Sequence, residues 1–146
     1  MKYSLFLLLI FLVSCSVFRG MKKKSFAYQN GKILPLSIPK GYQKSELQTD
    51  SAGNRTHIFL YDNQAALYFY YGDTTESNLP TDTSVNISKS YPATVPFFKG
   101  QDSSTGLFWR ESRFKNFRFG YRNISAEKEI LFDSSVNYAA WRAIGK

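Results

Sequence analysis

One cysteine, Cys15, and one histidine, His57, are all that this chain offers to thiolate or imidazole chemistry. A single cysteine closes no intrachain disulfide, so stability has to come from the packed core. The same scarcity excludes a metal site built on thiolate and imidazole ligands. A Ser-His-Asp arrangement would have to lean on His57, which falls within an apolar run and is expected as an ordinary strand residue, facing solvent or satisfied in the sheet. No G-x-S-x-G elbow or S-x-x-K motif occurs, and the glycines are scattered at turns instead of forming a phosphate-cradling loop. No cofactor is implied. What remains for a small hydrolase is His57 or a pair of carboxylates, with Asp62, Glu111 and Asp133 as candidates. Long apolar runs are missing too. The longest, Leu5 to Val13, stops well short of the roughly 18 residues that a membrane-spanning helix requires.

That run, short as it is, has an export signal's layout. Lys2 supplies the positive end, Leu5 to Val13 the apolar middle, and small Ser14 the position before a cleavage at Cys15. Leu12-Val13-Ser14-Cys15 resembles the lipobox of bacterial lipoproteins, in which two aliphatic or small residues and a small residue precede the modified cysteine. The resemblance covers only the first fifteen or so residues. It implies that residues 1–14 are removed, that the Cys15 thiol receives a diacylglyceryl group, and that the new amine is acylated as well. Such an N-terminus is firmly held by a membrane, because each buried CH₂ contributes about 0.8 kcal/mol. In that family an Asp after the lipidated cysteine retains the protein on the inner membrane of many Gram-negative bacteria. Ser16 stands there instead, which implies the outer membrane.

Beyond the cleavage point the chain is aromatic, with 13 Phe and 10 Tyr, a composition that suits pleated, half-buried strands. Its length fits one domain. Residues 15–25 lack apolar periodicity and read as the lipidated cysteine and a tether, in which Arg19 and Lys22 to Lys24 are solvated; order is expected from Phe26, giving a single domain over residues 26–146. Leu34, Leu36 and Ile38 alternate onto one face of an edge strand that accommodates Pro35. A weaker strand at 42–49, the turn Asp50-Ser51-Ala52-Gly53-Asn54, a strand from Arg55 to Tyr61 and another from Ala65 to Tyr71 make a three-stranded meander. Tyr68 and Tyr70 lie opposite Leu67, Phe69 and Tyr71, so both faces of that last strand are aromatic, which predicts burial on both sides, under a helix. Residues 72–99, broken by Gly72, Pro80, Pro92 and Pro96, read as a long loop with at most a short strand near Ser84 to Ile87. Asp50-Ser51-Ala52 and Asp73-Thr74-Thr75 resemble the short O-glycosylation signal of some lipoprotein-rich bacteria.

A second hairpin runs from Leu107 to Ser112, turns over Arg113 to Asn116, and returns through Phe117 to Asn123. Phe117, Phe119 and Tyr121 share one face, and Arg118, Gly120 and Arg122 the other. Ser125 then caps a helix with Glu127 and Glu129 in its first turn. Phe132, Val136, Ala139, Ala140 and Ala143 fall on one stripe of that helix, able to cover the apolar face of the sheet. The fold class is therefore α+β: a mostly antiparallel sheet, a meander plus a second hairpin, covered by a C-terminal helix.

Charge is unevenly placed. Residues 107–122 hold Arg110, Arg113, Lys115, Arg118 and Arg122 against Glu111 alone. On this reading Arg110, Arg118 and Arg122 share one wet face, with Arg113 and Lys115 at the hairpin tip, a surface suited to an anionic polymer or an acidic protein. Nucleic acid does not fit the implied compartment. The expected function is thus a non-enzymatic envelope lipoprotein that binds a partner. An immunity or inhibitor protein against a secreted toxin is a narrower alternative, and the small hydrolase a third.

Overall fold

The computed structural model describes residues 20–73, 84–90 and 93–145. The signal segment, Cys15, and Thr74 and Thr75 of the second glycosylation-like triplet lie outside them.

The described residues form nine strands and one long helix: β1 (Met21–Ala27), β2 (Ile33–Pro39), β3 (Lys44–Thr49), β4 (Arg55–Leu60), β5 (Ala66–Tyr71), β6 (Ser84–Ser90), β7 (Ala93–Gln101), β8 (Phe108–Phe114), β9 (Phe117–Ile124) and α1 (Ala126–Ile144). β1 and β2 pair as a separate hairpin, and the other strands make one sheet in the order β3-β4-β5-β9-β8-β7-β6, every neighbouring pair antiparallel. Two meanders therefore meet at the centre, where β5 pairs with β9. The protein is α+β, as its pattern of elements predicts.

Alternation along each strand divides the sheet into two different faces. Phe59, Leu67, Phe69, Phe117, Phe119 and Tyr121 point inward and are buried. A second layer closes this face: the β1–β2 hairpin, through Phe26, Leu34, Leu36 and Ile38, and beside it α1, which packs against β2, β9, β8 and β7. Aromatic rings stitch the layers together, Tyr28 lying 5.0 Å from Phe117 edge-on and Tyr61 5.0 Å from Phe132. The helix stripe is as the spacing predicts, with Phe132, Val136, Ala139, Ala140 and Ala143 all buried.

Three expectations are corrected. The ordered chain starts before Phe26, because Lys22, Lys23 and Lys24 are not tether but β1, paired with Ile38, Ser37 and Leu36. Lys22 and Lys24 share the face of Phe26 and rest near the Tyr42 ring at 5.9 and 5.6 Å, which lets charged residues occupy a half-covered edge. Second, much of the expected loop at 72–99 is sheet: β6 and the start of β7 pair from Ser84–Lys99 to Ser90–Ala93. Pro96 is tolerated because β8 pairs only with Phe97 onward, so no ladder bond from that side is lost. Third, Tyr68 and Tyr70 are not under the helix. Layer two occupies the other face, and among the described residues no element packs over theirs.

Candidate functional site: an arginine and tyrosine concavity on the open sheet face

The β8–β9 hairpin determines which cations share a face. Phe114 pairs with Phe117, leaving a two-residue turn, Lys115-Asn116, with Lys115 at φ 52°. An even-numbered turn places residues of opposite parity across from each other. Arg113 therefore faces Arg118, Glu111 faces Gly120, and Arg110 faces Tyr121. A bulge follows, since the register shifts between Phe108 and Arg110 while Asn123 takes φ 58°.

Arg110 is accordingly on the inner face and not, as expected, beside Arg118 and Arg122. Only 6% of it is exposed. Its Nη1 donates to Asp133 Oδ1 at 2.8 Å and its Nη2 to Asn137 Oδ1 at 2.6 Å, both on α1. Tyr121 donates its hydroxyl to the same Asp133 oxygen at 2.9 Å. Lys99 completes the cluster, paired with Glu129 and lying 3.5 Å from Asp133 Oδ2. Burial, reinforced by Asp133, pushes the Tyr121 hydroxyl pKa up, so it remains a donor. These groups bolt the helix to the sheet and are not presented to a partner.

The open face gathers the others. Tyr68 pairs with Gly120, and Tyr70 with Arg118. At Gly120 an added Cβ would stand 2.4 Å from both the Tyr68 hydroxyl and the Arg110 carbonyl, so the phenol lies across bare backbone there. Stretched over this floor, Tyr68 donates to Glu111 Oε2 at 2.7 Å, while Arg113 Nε donates to Glu111 Oε1, also at 2.7 Å. Burial is the main cause, and Glu111 the second, that raise the Tyr68 pKa and keep the phenol protonated. Arg118 and Arg122 stand over the rings of Tyr70 and Tyr68 at 5.4 and 5.8 Å. Neither forms an ion pair among the described residues, and Arg118 Nε is buried without a hydrogen-bond partner.

Between these side chains and the β3–β4 turn lies an open concavity of about 460 Å³. The turn forms its wall because Asp50 folds the chain back on itself, accepting from the backbone N–H of Ala52 and Asn54 at 2.9 and 2.8 Å and from Asn54 Nδ2 at 2.8 Å. Within this wall Asp50-Ser51-Ala52 is a folded turn whose carboxylate is already engaged. Tyr70 closes the rim by donating to the Asp73 carbonyl at 2.7 Å.

The catalytic candidates are not brought together. His57 is on the inner face, half-buried beside Phe59 with ring centroids 4.3 Å apart, and its Nε2 hydrogen-bonds Ser45 Oγ at 2.8 Å. Burial first and Lys24 second lower its pKa. Glu111 and Asp133 are on opposite sides of the sheet, and Asp62 is held in a turn by Gln43. Among the described residues no group of three or more His, Cys, Asp or Glu side chains could hold a metal ion, and no helix is long and apolar enough to cross a membrane.

Sequence reasoning found Arg113, Arg118 and Arg122 but missed Tyr68, Tyr70 and the Asp50 turn as their surroundings. The parity of the Lys115-Asn116 turn was the available signal for Arg110; no comparable signal reveals that Tyr68 meets Gly120. No protein-family model, no curated protein and no solved structure matches this chain.

Proposed function

We propose that this protein is a bacterial envelope lipoprotein, anchored through Cys15 to the outer membrane, that acts without catalysis as a binding module for an anionic polymer. The observation carrying the binding part is the pair of guanidinium groups, Arg118 and Arg122, over Tyr70 and Tyr68 on the open face with no carboxylate partner among the described residues. Guanidinium supplies planar, charge-assisted donors for carboxylate or phosphate. The tyrosine rings seat the two guanidinium groups side by side on the open face, which presents their donors to one ligand together. Elongation of the ligand fits an open concavity better than a closed pocket would. The lipobox at Leu12 to Cys15 supports the address.

Retention on immobilised polygalacturonate, a carboxylated polysaccharide, tests the binding part. The Arg118→Ser/Arg122→Ser double variant should bind at least tenfold more weakly, about 1.4 kcal/mol or more, with unchanged unfolding by urea. Equal retention of variant and wild type refutes it, and an acidic protein competing fully where the polysaccharide does not bind would reassign the ligand. Mass spectrometry of the mature N-terminus tests the anchor: the expected species begins at Cys15 and carries acyl chains.

A further inference from the structure

The outer surface of the second layer, on the far side of the molecule from the arginine concavity, has its own composition. Ile130 and Trp141 project from α1, 72% and 49% exposed. Eleven residues apart, they fall on one stripe of the helix. Tyr138 lies beside Trp141, with ring centroids 6.1 Å apart. Two cations cover these rings: Lys23 of β1 places its Nζ 4.6 Å from the Tyr138 centroid, and the Arg142 guanidinium stands 5.3 Å from Trp141. Between Ile130 and Trp141 the only acidic residue is Asp133, turned inward to Arg110 and Lys99. From Ile130 to Trp141 the strip therefore presents apolar and aromatic groups with positive charge, and the exposed Glu127 lies one turn before Ile130, at its N-terminal end.

We infer that this strip docks on the surface of the membrane to which the chain is anchored. The inference rests on the lipid-anchor reading of Cys15. Chain length makes the membrane the occupant: Gly20 follows Cys15 by five residues, which span at most about 18 Å, and Lys23 is three residues further along β1. A domain held that closely meets the bilayer at high effective concentration, so weak surface contacts suffice. Tyr and Trp favour the headgroup level because each has an apolar body and a polar tip. Lys23 and Arg142 complement anionic headgroups. Docking through α1 and β1 also turns Arg118 and Arg122 away from the bilayer.

The test uses the mature lipidated protein in phosphatidylcholine vesicles containing phosphatidylglycerol, with acyl chains brominated close to the headgroups. Trp109, on β8 and remote from the strip, is the internal reference. Wild-type tryptophan emission should be quenched by the brominated lipid, and the Trp141→Phe variant should lose that quenching. The Lys23→Glu/Arg142→Glu variant should show less quenching at low salt while remaining bound to the vesicles. Equal quenching of wild type and Trp141→Phe in protein that floats with the vesicles overturns the inference and leaves the anchor standing. Blue-shifted but unquenched Trp141 emission overturns it in favour of a second copy of the chain on this strip. Protein that fails to float removes the anchor, and the docking surface with it.

Discussion

Replacing Arg110 by alanine should cost the fold about 3 kcal/mol, whereas the same change at Arg118 should cost less than about 1 kcal/mol. The difference follows from which face each side chain occupies. Arg110 donates to Asp133 and Asn137 across the sheet–helix interface, two bonds to well-placed acceptors, each contributing about 1–2 kcal/mol. It also lies over the Phe97 ring at 4.3 Å, an interaction of about 1 kcal/mol when shielded from water. Against these stands its own Nε, buried without a partner, an unfavourable term of about 1 kcal/mol that truncation removes. Asp133 is not orphaned by the substitution, because Lys99 and Tyr121 still contact it. The full 3–5 kcal/mol cost of a stranded buried charge is therefore only partly incurred. Arg118 loses a ring contact and no ion pair. Urea unfolding at neutral pH, followed by tryptophan fluorescence and circular dichroism, measures both. A loss below 1 kcal/mol for Arg110→Ala, or equal losses for the two variants, would refute the assignment of Arg110 to the interface and Arg118 to the ligand face.

Gly120→Ala forces the Arg110 carbonyl or the Tyr68 hydroxyl away from a 2.4 Å contact; thermal unfolding should show about 2 kcal/mol of destabilisation, together with weakened polygalacturonate retention as Tyr68 leaves Glu111. His57 has a folded pKa below its ordinary value, owing to burial and then Lys24, so the unfolded chain takes up the proton first. Stability is complete above the unfolded imidazole pKa of about 6.5 and falls as the pH drops through it, levelling off below the folded pKa. Replacing His57 with Gln should flatten that part of the stability–pH profile, measured by urea midpoints from pH 5 to 8; an unchanged slope would show that other groups dominate the linkage.

Local pattern made much of this architecture legible. Phe117, Phe119 and Tyr121 alternate in sequence and face the core as they should, and the α1 stripe needs only helical spacing. The inner strands of the first meander follow from runs of β-branched and aromatic residues bounded by the Asp50 and Asp62 turns. Where the reading failed, the missing information was non-local. Ser84 to Ser90 is mostly polar, and it becomes a strand because β7 offers an antiparallel partner. Tyr68 and Tyr70 carry enough apolar area to be buried, yet which face of β5 the second layer covers depends on the β5–β9 pairing and on the β1–β2 hairpin, brought from opposite ends of the chain. Arg110 is different: the pairing parity of a hairpin with an even turn was there in the sequence and assigns it inward. For the site, the cations were visible and their aromatic seats were not.

The position of β1 governs how the fold bears mechanical load. Tension entering from the N-terminal side reaches the molecule at Gly20, whose carbonyl accepts from Lys40 N–H at 2.8 Å, and then at Met21, opposite Pro39 at the open end of the hairpin. Force applied there meets the ladder one rung at a time, like a peeled tape, because antiparallel cross-strand bonds lie perpendicular to the strand. Lys22 to Lys24 form the first rungs. Phe26, fully buried against Leu34 and its neighbours, is the first stop that would resist. A pull from that end thus spends itself on the outer half of β1 before it reaches the seven-stranded sheet that holds Arg118 and Arg122.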